Sequence, residues 1–337
     1  MRTLLLAFLA VLLLAAPAVA ADVPRPFAGH GMWIWQVPRA AGGDPDAIAE
    51  QAQEAGIETL YVKGAQGPVL WSQFNAPFVA ALQAHGLDVC AYQRMESDRP
   101  VAQARAAAAT VAAGADCFVI DAETELEGRY DVARRYVKAL RKRIGPDYPL
   151  GFTSFPYVDY HPLLPYSVFL GEGAATVNLP QIYWKDIGDR PREAFAHTVN
   201  ANAVYDRPLA PIGQLYEAPR KAEIRGFRRL ALAHGAAGLS WWSWDSAAGS
   251  GWAAIAGDVS APVLPAAPPT YPVVGMGARS DYVVWAEDHL RALGYSVGSD
   301  TRFDATTRAA VRAFQVDEEL PVTGVLDDAT WTALLAD

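Results

Sequence analysis

A repeated alternation between short apolar runs and longer helix-like segments constrains the fold of this chain more than any other feature. Between Gly31 and Asp245 the alternation occurs eight times. The apolar runs are 31–36, 57–64, 87–94, 116–123, 149–155, 177–184, 208–215 and 238–245. The clearest helical segments between them are 45–55, 101–113, 130–143 and 220–233. Continuous apolar strands that alternate with amphipathic helices indicate a parallel sheet covered on both faces.

The number of units separates the two common parallel architectures. Eight units within roughly 220 residues are typical of a closed (β/α)8 TIM barrel. An open doubly wound sheet is the alternative, but no glycine-rich phosphate-binding turn follows the first strand. We therefore predict the α/β class, with a (β/α)8 barrel over residues 27–258.

The N-terminal segment indicates export. Residues 1–20 have the positive start, the apolar stretch and the small-residue cleavage site of a secretory signal peptide. We expect no membrane span after its removal, because no later segment has about 18 continuous apolar residues. The formal net charge of −9 argues against nucleic acid and anionic membranes as partners. A secreted or periplasmic protein that binds a neutral or mixed-charge polymer is expected.

Two cysteines, Cys90 and Cys117, are the complete set in the chain. In an oxidising compartment they can pair if their segments are neighbours, and two buried free thiols are the alternative. Their spacing fits no metal motif, and the six histidines are scattered without ligand spacing. We expect neither a metal nor another cofactor.

The C-terminal part of the chain has a different composition. Five prolines make 259–274 a stiff, extended linker. Residues 275–337 contain three short helical patterns, with Asp304 and Asp327 placed as helix N-caps. The patterns are 281–293, 304–315 and 327–335. Because three short helices enclose only a small core, we expect a binding module rather than a catalytic domain.

Three motifs give this module a family resemblance. "LRALGY", "FDATTRAAVRAFQ" and "LPVTGVLDDATWTALL" follow one another in order within 275–337. The pattern resembles the peptidoglycan-binding domain type 1, and departs from it at Thr301 and Asp304, where that family usually has glycines. The resemblance implies a three-helix domain that anchors the protein to bacterial cell-wall glycan. A generic helical cap is the alternative.

Two acids at the end of the fourth apolar run are the candidate catalytic residues. Asp121 and Glu123 are two positions apart, so their side chains project on the same side of a strand. In a TIM barrel, reactive groups collect at the carboxyl ends of the strands. Two adjacent carboxylates repel each other, which raises one pKa and leaves a proton available. One protonated and one ionised carboxyl are the groups that glycoside hydrolysis needs. Helix caps or solvated loop acids are the alternative, and we expect this of Glu125 and Glu127.

The other strand ends supply candidate substrate-binding residues. Aromatic faces stack on pyranose rings, and polar side chains bond sugar hydroxyls. Each aromatic residue can instead be core packing. The candidates are Lys63, Tyr92, Tyr183, Trp184, Gln214, Glu217, Trp242 and Trp244.

The barrel resembles the glycoside hydrolase family 25 lysozymes at three places. "YVKGAQG" at 61–67, "FVIDAE" at 118–123 and "LGFTSFPY" at 150–157 are similar to that family's second, fourth and fifth strands. The resemblance implies a muramidase with Glu123 as proton donor and Asp121 beside it. The first strand departs from the family, because 31–36 contains no acid.

These observations together predict an exported, wall-associated hydrolase of peptidoglycan glycosidic bonds. In this hypothesis Glu123 protonates the glycosidic oxygen, while Asp121 stabilises positive charge at the anomeric carbon or activates the attacking group. A non-catalytic wall-binding protein with a degenerate barrel is one alternative. A glycosidase for another polysaccharide is the second.

Overall fold

The computed structural model describes residues 23–260 and 267–336. The predicted signal peptide, 1–20, lies outside the described residues, as do 261–266 of the predicted linker.

One curled sheet forms the centre of the larger domain. Its strands are β1 (Gly29–Ile34), β2 (Thr59–Gln66), β3 (Val69–Leu70), β4 (Asp88–Arg94), β5 (Cys117–Asp121), β6 (Leu150–Thr153), β7 (Val177–Asn178), β8 (Gln181–Ile182), β9 (Ile212–Gln214) and β10 (Gly238–Trp242). All neighbouring pairs are parallel except the short β3, which pairs antiparallel with β2. The eight predicted strands are all present.

The sheet curls until its two ends meet at the same stretch of chain. The strand order runs β7-β6-β5-β4-β2-β1-β10-β9-β8. β7 and β8 are separated only by Leu179 and Pro180, and they pair with β6 and β9 respectively. They therefore share one strand position, and the predicted TIM-like barrel is confirmed.

Helices surround this sheet and form the smaller domain. Those of the barrel are α1 (Pro45–Glu54), α2 (Ala76–Ala84), α3 (Pro100–Ala112), α4 (Tyr130–Ile144), α5 (Tyr166–Leu170), α6 (Trp184–Ile187), α7 (Pro191–Asn202), α8 (Lys221–Ala233) and α9 (Gly249–Ile255). Those of the C-terminal module are α10 (Asp281–Ala292), α11 (Ala305–Asp317) and α12 (Asp328–Leu334). No described helix has the length and apolar character that crossing a membrane requires.

Strand side chains alternate between two apolar layers. One layer lies between the sheet and the helices, and the other fills the barrel interior with residues such as Trp33, Tyr61 and Val119. Cys90 and Cys117 belong to the interior layer. They lie opposite each other on β4 and β5 and form a disulfide, which settles the choice left open by the sequence.

The C-terminal module packs directly on the barrel. Asp304 and Asp327 cap α11 and α12, as expected from the sequence. Asp281, at the start of α10, is fully buried against the barrel. Its carboxylate accepts hydrogen bonds from the Tyr130 hydroxyl (2.9 Å), the Tyr205 hydroxyl (2.8 Å) and both the backbone N–H and the hydroxyl of Ser167 (2.7 Å each). The two domains are therefore joined by a specific interface as well as by the linker.

Candidate active site

A cleft of about 610 Å³ opens at the carboxyl ends of the barrel strands. Its polar lining residues are Lys63, Gln66, Arg94, Asp121, Glu123, Glu125, Thr153, Gln181 and Asp186. Its aromatic lining residues are Trp33, Trp35, Tyr92, Phe155, Tyr183, Tyr216 and Trp242. The cleft is therefore an aromatic-walled groove with acids at its centre, which is the composition that suits a sugar polymer.

Asp121 and Glu123 lie together in this cleft. Asp121 is the last residue of β5 and is 7% exposed, while the Glu123 side chain is 19% exposed. The Gln181 amide donates to both carboxyl groups, at 3.4 Å and 3.2 Å. Burial raises the pKa of Asp121 well above its usual range, and the charge of Glu123 raises it further. Of the two carboxyl groups, Asp121 is therefore the one whose protonated form its surroundings favour, although the sequence hypothesis assigned the donated proton to Glu123.

Arg94, at the end of β4, connects the acids. Its Nη1 lies 2.7 Å from Oε1 of Glu123, and its Nη2 lies 3.0 Å and 2.9 Å from the two oxygens of Glu125. The charges of Asp121, Glu123 and Glu125 raise the pKa of Arg94 against the opposing effect of burial. Glu125 is exposed, as expected, and is also an ion-pair partner of the site. Glu127, of which the same was expected, has a carboxylate oxygen 2.7 Å from Nδ1 of His161.

Sequence patterns did not reveal this role of Arg94. The signal that could have found it is strand register, because Arg94 is the parallel partner of Asp121 across β4 and β5. Side chains at equal height on neighbouring parallel strands of a barrel point to the same interior.

Lys63 is a second cation beside the acids. Its Nζ donates to Gln66 Oε1 (2.7 Å) and lies 5.1 Å from the Trp71 ring centre and 5.7 Å from that of Tyr92. Burial lowers the pKa of Lys63, while the charge of Asp121 partly opposes this effect. Lys63 therefore stabilises negative charge on the acids, and it forms no close ion pair with any acid of the described ranges.

Aromatic rings form the floor of the cleft. The Trp33 ring centre lies 4.9 Å from that of Tyr92 and 6.0 Å from that of Trp242. The Tyr92 hydroxyl is buried and has no hydrogen-bond partner among residues 23–260 and 267–336. A buried hydroxyl without a partner is costly, so this group is available to bond a ligand that enters the cleft.

Half of the predicted substrate-binding residues line the cleft. Lys63, Tyr92, Tyr183 and Trp242 do so. Trp184, Gln214, Glu217 and Trp244 do not.

Local packing explains these four departures. Trp184 begins α6 and packs outward on Phe227, with ring centres 5.4 Å apart. Trp244 is covered by Trp252, at 4.7 Å. Gln214 is buried, and its side-chain oxygen accepts the backbone N–H of Lys185 at 2.8 Å. Glu217 is exposed on the loop that follows β9.

The first strand has no acid, but an acid just after the last strand contacts the residue that follows the first strand. Asp245 follows β10, and its Oδ2 accepts the backbone N–H of Trp35 at 3.2 Å. This residue does not line the cleft. Among the described residues there is also no group of three or more His, Cys, Asp or Glu placed to hold a metal ion.

Comparison with known proteins gives its most specific result for the C-terminal module. Residues 279–334 match the family described as "Putative peptidoglycan binding domain". A peptidoglycan-binding protein from Clostridioides difficile is 36% identical over 19% of this chain and 40% of its own, with a TM-score of 0.19. This chain thus spans less than half of that protein. No curated protein matches the chain.

The barrel matches solved structures in fold alone. The spore cortex-lytic enzyme SleL of Bacillus cereus covers 68% of this chain and 73% of its own, with 10% identity and a TM-score of 0.53. A class V chitinase from Pseudomonas fluorescens covers 68% and 98%, with 10% identity and a TM-score of 0.51. Neither of these matched structures is described as a member of glycoside hydrolase family 25. The predicted resemblance to that family is therefore not confirmed, although the TIM-like fold is. Residues 279–334 thus match the family of peptidoglycan-binding domains, and they follow a TIM-like barrel.

Proposed function

We propose that this protein is an exported hydrolase of cell-wall glycan that cleaves glycosidic bonds of peptidoglycan in the cleft around Asp121 and Glu123. The observation that carries the proposal is the pairing of these carboxyl groups, one buried with a raised pKa and the other more exposed, inside an aromatic cleft. The peptidoglycan-binding module supplies a reason for the choice of polymer, since tethering raises the effective concentration of an insoluble substrate.

The proposed reaction uses the proton that Asp121 holds. Asp121 passes this proton to Glu123, the more exposed acid, and Glu123 delivers it to the bridging oxygen, which leaves both carboxyl groups ionised. As the bond between the anomeric carbon and the bridging oxygen breaks, the ionised pair stabilises the positive charge at the anomeric carbon. Water adds its hydroxyl to that carbon, and its remaining proton returns to the carboxyl pair.

One observation favours a second candidate, a wall-binding protein without catalysis. Arg94 forms ion pairs with both Glu123 and Glu125, so the carboxylate that would deliver the proton is already engaged by a cation. A barrel of this kind would bind glycan in the cleft and leave it intact.

Release of new reducing ends separates the candidates. The full chain is incubated with purified peptidoglycan and, in parallel, with chitin. We expect release from peptidoglycan by the unmodified protein and by Glu217→Gln, an exposed acid outside the cleft, and a loss of at least about 100-fold in Glu123→Gln. Release from neither polymer would favour the binding protein. Release from chitin alone would favour the glycosidase for another polysaccharide.

A further inference from the structure

Helix α4 carries an unusual concentration of positive charge for so acidic a protein. Six of its 15 residues are Arg or Lys, and Asp131 is its only acid. Arg134, Arg135, Lys138, Lys142 and Arg143 are exposed, and we call these five residues the α4 cationic face. Since the whole chain has a net charge of −9, the remainder is more acidic still.

The charges of the α4 cationic face have no close ion-pair partner in the part of the chain that the structure describes. Within the described ranges, none of its five residues forms an ion pair with a carboxylate. The Arg134 guanidinium lies over the Tyr130 ring at 5.7 Å, and Arg143 donates to the Ala139 carbonyl at 2.6 Å. Elsewhere, exposed arginines such as Arg220 and Arg291 do pair with acids.

The α4 cationic face lines two adjoining grooves. One groove, of about 650 Å³, lies at the junction of the domains, where Arg134 and Lys138 face Trp285 and His289 of α10. The acids Glu172, Asp206 and Asp288 also line this groove. The other groove, of about 550 Å³, is lined by Arg135, Lys138, Lys142 and Arg143. Lys138 lines both grooves, and we call the two together the α4 track; its second groove has four basic residues and no acid among the described residues that line it.

The domain interface fixes the geometry of this track. Asp281, at the start of α10, is buried and holds Tyr130 of α4 and Ser167 of α5 by hydrogen bonds. The α10 side of the junction groove is therefore held against α4, and the groove is a built feature of the docked domains.

We propose that the α4 cationic face binds the carboxylates of the short peptides attached to peptidoglycan strands, as a second wall contact beside the C-terminal module. This proposal rests on the proposed function for its choice of polymer and extends it to peptide-substituted strands. Arg and Lys complement carboxylates directly, and their spacing of one helical turn, about 6 Å, gives a ladder of sites for a repeating anion. The acidic remainder of the surface repels the same polymer and thus favours this track.

A charge-neutralising variant with a matched control tests the proposal. Arg134→Gln, Lys138→Gln and Lys142→Gln remove three charges at helical i, i+4 spacing. Lys221→Gln, Arg225→Gln and Arg229→Gln remove three exposed charges with the same spacing from α8, and those residues line neither groove. Gln is a good helix former, so both triple variants retain the helix, which unfolding curves verify.

Adsorption of the full chain to peptidoglycan freed of phosphate polymers is measured in the cold. We expect the α4 variant to adsorb roughly tenfold more weakly at low salt and the α8 variant to match the unmodified protein. The difference in adsorption should shrink as salt rises towards about 0.5 M, because stronger screening shortens the range of the electrostatic attraction. Equal adsorption by all three proteins, or equal loss in both variants, would overturn the proposal.

A second arm identifies the anion and does not depend on the variants. Peptidoglycan whose carboxylates have been amidated should bind the unmodified protein as weakly as native peptidoglycan binds the α4 variant. Full binding to amidated peptidoglycan would refute the proposal, as would an α4 effect seen only on walls that retain phosphate polymers. Reducing ends are measured separately. Adsorption through α4 without hydrolysis would therefore support this proposal and contradict the proposed function.

Discussion

At the scale of single residues, the environment of Asp121 determines the chemistry of the cleft. Strand alternation alone predicts that Asp121 and Glu123 share a side, and both line the cleft. It does not predict which of them holds the proton, because that depends on burial and on charges from other strands. Arg94 and Lys63 both lower the pKa of Asp121, and both come from strands remote in sequence.

Removal of Arg94 tests this electrostatic account. The Arg94 charge opposes the rise in the pKa of Asp121, so Arg94→Gln should raise that pKa further. Because the proposed reaction needs protonated Asp121, the basic limb of the pH–rate profile should move to higher pH. Hydrolysis should also fall by about tenfold or more, since Glu123 loses its restraint.

Arg99→Gln provides the control, because this exposed arginine lies outside the cleft and pairs with the loop acids Glu96 and Asp98. Its pH–rate profile should match that of the unmodified protein. A basic limb that stays in place or moves to lower pH in Arg94→Gln would contradict the assignment of the proton to Asp121.

At the scale of secondary structure, periodicity predicts the long elements and misses the short ones. The helical segments at 45–55, 101–113, 130–143 and 220–233 match α1, α3, α4 and α8 to within two residues. The helices α5 and α6 have 5 and 4 residues, which is too short for a 3.6-residue period to be visible. Trp184 was predicted to bind substrate because α6 was not foreseen. This helix begins at Trp184 and turns its side chain away from the cleft.

The disulfide between β4 and β5 offers a test at this scale. It joins residues 27 positions apart, and in the chain-entropy account such a cross-link stabilises the fold by about 3 kcal/mol. We expect the variant Cys90→Ala, Cys117→Ala to lose about this much free energy of unfolding in urea. Reductant should destabilise the unmodified protein and leave the double variant unchanged. Equal stability of the two proteins under oxidising conditions would show that the disulfide contributes little.

At the scale of the whole molecule, the barrel and the C-terminal module act as one docked unit. Sequence patterns predict both domains and the helix that begins near Asp281, but they do not predict the interface. An acid in the first turn of a helix is ordinary, and only the folded barrel brings Tyr130, Ser167 and Tyr205 to it. Trp285 and Tyr282 extend the contact by donating to the carbonyls of Val204 and Ala201.

Asp281→Ala should separate the domains. Four hydrogen bonds to a buried carboxylate are lost and their donors remain buried, so we expect the interface to weaken by about 3 kcal/mol. Small-angle X-ray scattering should show a larger radius of gyration, and thermal unfolding should split into two transitions. Asp288→Ala, a half-exposed acid on the same helix, should change neither measurement.

The stability that Asp281 contributes to the domain interface should also depend on pH. Burial raises the pKa of Asp281 to about 6, from 3.8 in the unfolded chain. The folded protein therefore holds a proton that the unfolded chain releases between these values, and the stability contributed by this group is complete below about pH 4 and is lost as pH rises through 6. The stability of the unmodified protein relative to Asp281→Asn should fall over this window. A relative stability that rises there would contradict the assignment.

The chemical identity of the new ends in digested peptidoglycan tests the central claim most directly. The ends are trapped by borodeuteride reduction and identified by mass spectrometry, for the unmodified protein and for Glu123→Gln. The expected result is labelled sugar termini with the unmodified protein and none above background with Glu123→Gln. Equal labelling by the two proteins, or released peptides without labelled sugar termini, would contradict glycosidic cleavage at the pair formed by Asp121 and Glu123.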